Sequence, residues 1–220
     1  MSGAIRTKIC GLTSVAQVDA AARAGATYIG LNFVPQSPRF LATELAQALA
    51  LAAPLGLAKV GLTVNADDAT LDSLTQAVPL DILQLHGGES PERVEEVKRR
   101  YGLPVIKAVG VRDETDLPAL EAYGAVADQL LVDAKPPRGS TLEGGNGVTF
   151  DWRLIAGRRW PVPWLLAGGL TPDNVADAIA RTGAVQVDVS SGVESAPGQK
   201  DSDLVRRFCE AAQTVSLAAG

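Results

Sequence analysis

Trp164-Leu-Leu-Ala-Gly-Gly169 and Val185-Gln-Val-Asp-Val-Ser-Ser-Gly192 are two apolar runs that break off in small residues where a strand hands over to a loop. Glycines and serines at successive strand ends leave room for an anion to approach the backbone. Amide N–H groups and a nearby helix N-terminus can then carry its charge without any Lys or Arg. Either run alone also reads as an ordinary strand with a flexible exit, because short glycine patterns are common. Their place in the chain gives the pair its weight.

Outward from these two runs, stretches rich in Val, Ile and Leu alternate with helical ones, the pattern of parallel βαβ units. Eight strands are predicted, from Thr7 to Gly11, Tyr28 to Phe33, Ala58 to Val64, Asp81 to His86, Val105 to Val111, Gln129 to Asp133, Trp164 to Gly168 and Val185 to Val189, each followed by an amphipathic or alanine-rich helix. The clearest predicted helices run from Val15 to Ala24, Pro91 to Tyr101, Pro172 to Arg181 and Ser202 to Val215, the first opened by Thr13 and Ser14 and the last by Asp201 as N-caps. Eight such units in 220 residues predict one α/β domain over residues 1–220, a compact (β/α)8 TIM barrel with a phosphate site at the ends of strands seven and eight. An open doubly wound sheet is the alternative, but it usually carries its phosphate loop after the first strand.

Neither a charge run nor a low-complexity linker divides the chain, and 46% hydrophobic residues suffice for one core. A formal net charge of −5 without a basic cluster argues against nucleic acid or an anionic membrane surface as partner, which leaves a small molecule. There is no apolar run of about 18 residues and no signal-peptide core, so a cytoplasmic location is expected. Cys10 and Cys209 lie far apart in unrelated contexts and are expected as thiols. With one histidine in the chain, no metal site is expected. Whether the protein is a monomer or a homodimer stays open.

In a barrel the residues at the C-terminal ends of the strands face the active site. Here they are Cys10, Asn32, Asn65, His86, Arg112 or Asp113, Asp133, Gly168 with Gly169, and Asp188 with Ser190 and Ser191. A thiol and a carboxyl on opposite sides of the mouth can flank a sugar-sized substrate, one removing a proton and the other supplying one.

Seven segments in this order also resemble the phosphoribosylanthranilate isomerases of tryptophan biosynthesis. They are Lys8-Ile-Cys-Gly11, Val34-Pro-Gln-Ser-Pro-Arg-Phe40, Gln84-Leu-His-Gly87, Leu131-Val-Asp-Ala-Lys135, Gly144-Gly-Asn-Gly147 before Phe150-Asp-Trp152, Leu166-Ala-Gly-Gly-Leu170, and Asp188-Val-Ser-Ser-Gly-Val-Glu194 before Pro197-Gly-Gln-Lys-Asp201. The resemblance covers nearly the whole chain. It implies an aldose–ketose isomerase that performs an Amadori rearrangement of N-(5-phosphoribosyl)anthranilate without a cofactor. It implies further that Asp133 is the general acid that opens the ribose ring and Cys10 the base that takes the C2′ proton of the resulting Schiff base. Such an acid must be protonated near neutral pH, which a semi-closed site beside a phosphate dianion favours. A thiol, with an ordinary pKa near 8.5, needs only a modest shift to serve as the base. Arg39 is expected to hold the anthranilate carboxylate or another substrate oxygen. His86 is expected near the site, and Asp188 either touches the sugar or Schiff-base nitrogen or orients its neighbours. The phosphate is expected on backbone at Gly145, Gly147, Gly168, Gly169, Ser190, Ser191 and Gly192, aided by a short turn after Ser191. Cys209, behind Phe208 in the last helix, is read as packing.

The long sixth loop departs from the family pattern, with Asn146 where Ser or Thr is usual and Val148 where Lys is frequent, and its length suggests a lid. Three other readings are weighed. The related isomerase of histidine biosynthesis is built as two half-barrels and carries aspartate in place of Cys10. An indole-forming synthase needs a lysine acid at a strand end, for which Lys107 is the comparable residue. A noncatalytic phosphosugar-binding barrel has no need of both Cys10 and Asp133.

Overall fold

The computed structural model describes residues 4–134 and 152–215. Eight parallel strands close into a barrel in sequence order: β1 (Arg6–Cys10), β2 (Tyr28–Asn32), β3 (Ala58–Thr63), β4 (Ile82–Leu85), β5 (Val105–Val111), β6 (Gln129–Ala134), β7 (Trp164–Ala167) and β8 (Gln186–Val189). The ring shuts where β1 pairs with β8, Lys8 lying opposite Asp188. The open-sheet alternative is thereby excluded. Among the described residues, seven α-helices cover the outside, α1 (Val15–Arg23), α2 (Thr43–Ala52), α3 (Asp68–Ala77), α4 (Pro91–Tyr101), α5 (Leu117–Gly124), α6 (Val175–Thr182) and α7 (Ser202–Gln213).

The period of two along each strand sorts the side chains into two cores. Tyr28, Val60, Ile82, Ile106, Ala108, Leu131, Leu165 and Ala167 pack inside the barrel. Ile9, Ile29, Leu31, Leu83, Val109, Val132 and Val187 point out against the helices. A polar chain crosses the floor of the barrel, from Arg6 Nη1 to the Tyr28 hydroxyl (3.4 Å), from that hydroxyl to Gln186 Oε1 (2.9 Å), and from Gln186 Nε2 to Gln129 Oε1 (3.3 Å). The bottom is thus sealed by hydrogen-bonded polar groups, and the mouth lies at the C-terminal ends of the strands.

The expected caps form. Ser14 Oγ accepts from Gln17 N (3.3 Å), and Asp201 Oδ1 accepts from Asp203 N (2.8 Å) and Leu204 N (3.0 Å). Helix α6 starts at Val175 rather than at the expected Pro172. Asn174 folds back to accept from Thr171 N (2.8 Å) and donate to Gly169 O (2.9 Å), so residues 171–174 form a turn that ties the helix start to the end of β7. A helix was expected after every strand, yet between β6 and β7 the described residues form only the 3₁₀ turn Trp152–Leu154. After β8 the chain makes a 3₁₀ turn, Ser191–Val193, and a short antiparallel hairpin, β9 (Glu194–Ala196) with β10 (Gln199–Lys200), before α7. Among the described residues no helix is long and apolar enough to cross a membrane.

Candidate active site

Two groups of polar side chains face the mouth. The first spans β1, β8 and the β9–β10 hairpin. Cys10 ends β1 and is 5% exposed. Two residues earlier on the same strand face, Lys8 is fully buried and its Nζ lies 2.8 Å from Asp188 Oδ1. Burial opposes the Lys8 ammonium, but Asp188 and the neighbouring Cys10 hold its pKa above the ordinary lysine value. Gly30 stands opposite Cys10 on β2, and a Cβ there would come within 2.6 Å of the Cys10 Sγ, so a side chain at position 30 would occupy the thiol's place.

Burial pushes the Cys10 thiol above its ordinary value; Lys8 and Lys200 pull it back and Asp188 adds to the rise. Burial thus works against the modest shift expected of this thiol. A buried sulfur resists ionisation, and its two lysine neighbours only partly offset that cost.

Lys200 and Glu194, both in the hairpin, complete this group. Lys200 Nζ contacts Glu194 Oε1 (2.5 Å) and donates to Ser190 O (3.1 Å), and the Ser190 hydroxyl donates to Cys10 O (3.1 Å). Glu194 also takes both forks of Arg39, from Nε at 2.7 Å and from Nη2 at 2.6 Å. Arg39 reaches this place because Ser37 Oγ accepts its backbone N–H (3.1 Å) and Asn32 Nδ2 in turn donates to Ser37 (3.2 Å). The Arg39 side chain also covers Gly11, where a Cβ would strike it.

The second group lies across the mouth, on β4 and β6. His86 follows β4, with Nδ1 2.8 Å from Gln84 Nε2 and Nε2 3.4 Å from Asp133 Oδ2. The Asp133 side chain is 15% exposed, its strand flanked by β5 and β7. Behind His86 a buried Glu89 braces the turn: it accepts from Asn65 N (2.8 Å) and Gly87 N (2.9 Å) and pairs with Lys107 Nζ (2.7 Å). Asn65 takes a left-handed φ of 49°, and a Cβ on Gly87 would collide with its side chain. Lys107 thus faces the helix layer rather than the mouth, with Nζ 5.2 Å from the Tyr123 ring centroid. The lysine acid that an indole-forming synthase needs is not supplied by this residue.

At the ends of β7 and β8, Gly168 and Gly169 both adopt left-handed conformations (φ 91° and 65°), and nothing stands within 4 Å of where a Gly169 Cβ would be. A Cβ on Gly192 would strike the Leu170 carbonyl oxygen, so the turn after β8 sits directly on the loop after β7. Gly145, Gly147 and the proposed lid lie outside the described residues. Among those described, no group of His, Cys, Asp and Glu is arranged to hold a metal ion.

Of the expected site residues, Cys10, Asp188 and Ser190 come together with Arg39 through the hairpin, and His86 meets Asp133. Asp188 is engaged with Lys8, which favours the orienting role among the two expected for it. Lys8, Glu194, Lys200 and Gln84 were not singled out from sequence, although each sits within a segment that carried the resemblance. For Lys8 the signal was its spacing: a charged residue two places before Cys10 shares its inward face and must be paired.

The N-(5'phosphoribosyl)anthranilate (PRA) isomerase family model matches residues 7–211. A relative from Cereibacter sphaeroides, N-(5'-phosphoribosyl)anthranilate isomerase, is 64% identical over 209 residues, covering 95% of this chain and 99% of its own. The crystal structure of phosphoribosyl anthranilate isomerase from Thermotoga maritima superposes with a TM-score of 0.87 at 36% identity, over 96% of this chain and 100% of that one. A phosphoribosyl anthranilate isomerase in complex with reduced 1-(o-carboxyphenylamino)-1-deoxyribulose 5-phosphate matches with a TM-score of 0.84 at 33% identity, over 96% and 100% of the two chains.

Proposed function

The chain belongs to the N-(5'-phosphoribosyl)anthranilate isomerase family, and from that premise we propose that it converts N-(5-phosphoribosyl)anthranilate to 1-(2-carboxyphenylamino)-1-deoxyribulose 5-phosphate, with Asp133 as general acid and Cys10 as general base. Asp133 gives a proton to the ribose ring oxygen as its bond to C1′ breaks, and the nitrogen lone pair forms the C1′=N bond of a Schiff base. Cys10, as the thiolate, then takes the C2′ proton; the electrons of that C–H bond make C1′=C2′, and those of the C=N bond return to nitrogen. Protonation at C1′, with loss of the C2′ hydroxyl proton, turns the enol into the ketone. Positioned acids and bases each contribute about 10² to 10⁴ in rate.

The observation that carries this reading is a thiol and a carboxyl at the mouth on opposite arcs of the ring, β1 and β6, within a chain matched by the family model along nearly its whole length. Arg39 orients the anthranilate carboxylate with the part of its guanidinium that Glu194 leaves uncovered. The phosphate rests on the backbone of Gly168, Gly169, Ser190, Ser191 and Gly192. The left-handed pair of glycines and the open space beside Gly169 support that assignment.

The test is the fluorescence of freshly generated N-(5-phosphoribosyl)anthranilate mixed with the purified protein. The anthranilate signal should decay in proportion to protein concentration. A decay no faster than the buffer blank would reject the activity and leave a barrel that at most binds phosphosugars.

A further inference from the structure

Lys8 is an unusual residue to find inside a barrel. It is fully buried in β1, shares the inward face with Cys10 two residues on, and meets Asp188 from the adjacent strand at 2.8 Å, in register. A lysine ammonium does not stay in such a place without a partner. One carboxylate would satisfy a purely structural pair, yet this pair sits at the foot of the thiol. Among the described residues, the charged groups around Cys10 come from four elements: Lys8 on its own strand, Asp188 on β8, Lys200 on β10, and Arg39 on the loop after β2. Lys200 and Arg39 are both tied to Glu194, so their charge is partly taken up there. Lys8 is paired with Asp188 and also interacts with Cys10 itself, two residues on along the same face of β1.

We propose that Lys8 is a positioning residue for the isomerisation: its ammonium stabilises the thiolate form in which Cys10 serves as base, and Asp188 both keeps Lys8 in place and limits how far it stabilises that charge. This rests on the assignment of Cys10 as base. A sulfur in a desolvated mouth, about 4–6 Å from one cation, ionises with its midpoint lowered by about 1–3 pH units relative to the same site without the cation. The carboxylate next to that cation works in the opposite direction, so the two partners have opposite signs of effect on the thiol. A pair that only filled space would have neither.

The test is thiolate absorbance near 240 nm against pH, taken as the difference between each protein and the same protein carrying Cys10→Ala, so that Cys209 and the tyrosines cancel. The variants are Lys8→Met, Asp188→Asn and the double Lys8→Met/Asp188→Asn. The double variant removes both charges and keeps a balanced interior if either single variant folds poorly. The midpoint should lie highest in Lys8→Met, lower in the double variant, lower again in wild type and lowest in Asp188→Asn. The acid limb of kcat/KM should move with it, while KM changes little. Equal midpoints in wild type and the double variant, or a Lys8→Met midpoint at or below wild type, would overturn the proposal. If the midpoints move as stated but Cys10→Ala keeps full turnover, the electrostatic coupling stands and the assignment of Cys10 as base fails instead.

Discussion

Two lysines lie buried in the strands of this barrel, Lys8 in β1 and Lys107 in β5, each against a carboxylate at 2.8 and 2.7 Å, and they serve different ends. The strand period decides which. On β1, Thr7 and Ile9 face outward, Thr7 meeting Cys209 of α7 at 3.5 Å, so Lys8 faces in toward the mouth. On β5 the inward residues are Ile106 and Ala108, so Lys107 faces out, where it holds the backbone carbonyls of Leu85 and Gly87 as well as Glu89. The same side chain is a brace on one side of the barrel wall and a neighbour of the Cys10 thiol on the other. A buried ion pair by itself therefore says little about function; the face it occupies says more.

Substituting the brace is the harshest way to probe that contrast. Lys107→Met leaves Glu89 buried without its cation, and urea unfolding should show a loss of about 3–5 kcal/mol. At a temperature where the variant is folded, kcat should stay within about tenfold of wild type, because no group touching the substrate has been removed. Loss of turnover in a folded Lys107→Met protein would break the division of labour between the two lysines.

On the other side of the wall, Gly30→Ala places a methyl group where the Cys10 sulfur sits, with the Cys10 Cα at 3.0 Å as well. A displacement of about 1 Å in a reacting group costs about 10²-fold, so kcat should fall by about that factor with KM little changed. Unchanged turnover would show that the position of the thiol does not matter.

The mildest probe is pH. Burial raises the carboxyls of Glu89 and Glu194, but hydrogen bonds from Lys107 and Asn65 in the one case, and from Arg39 and Lys200 in the other, bring both below the ordinary glutamate range. A carboxyl lowered on folding contributes stability that is complete above its unfolded pKa, near 4.3, and is lost as pH falls through the folded value. The urea midpoint should thus hold steady down to about pH 5 and drop below about pH 4, with a shallower drop in Glu89→Gln. Equal slopes in wild type and Glu89→Gln would remove Glu89 from the account.

The eight strands were legible because parallel strands buried on both faces are written as Val, Ile and Leu runs, and the mouth residues followed from strand ends once the barrel was accepted. What binds them together was not legible. Asp188 lies 180 residues from Lys8 and Glu194 155 from Arg39, and no local pattern records such pairings. The β9–β10 hairpin escaped notice because strands of three and two residues carry no periodic apolar signal, although Gly198 at φ 79° in the turn between them is its mark. Cys10 was found by position, whereas its resistance to ionisation depends on burial, which only the packed structure reveals.

The central claim is that the chemistry sits on Cys10 and Asp133 at the mouth. The most direct measurement is kcat for Cys10→Ala and Asp133→Asn beside Lys107→Met, on freshly generated N-(5-phosphoribosyl)anthranilate under conditions where all are folded. The account predicts a fall of about 10² to 10⁴ in each of the first two and turnover within about tenfold of wild type in the third. Full activity in either mouth variant, or its loss only in Lys107→Met, would contradict it.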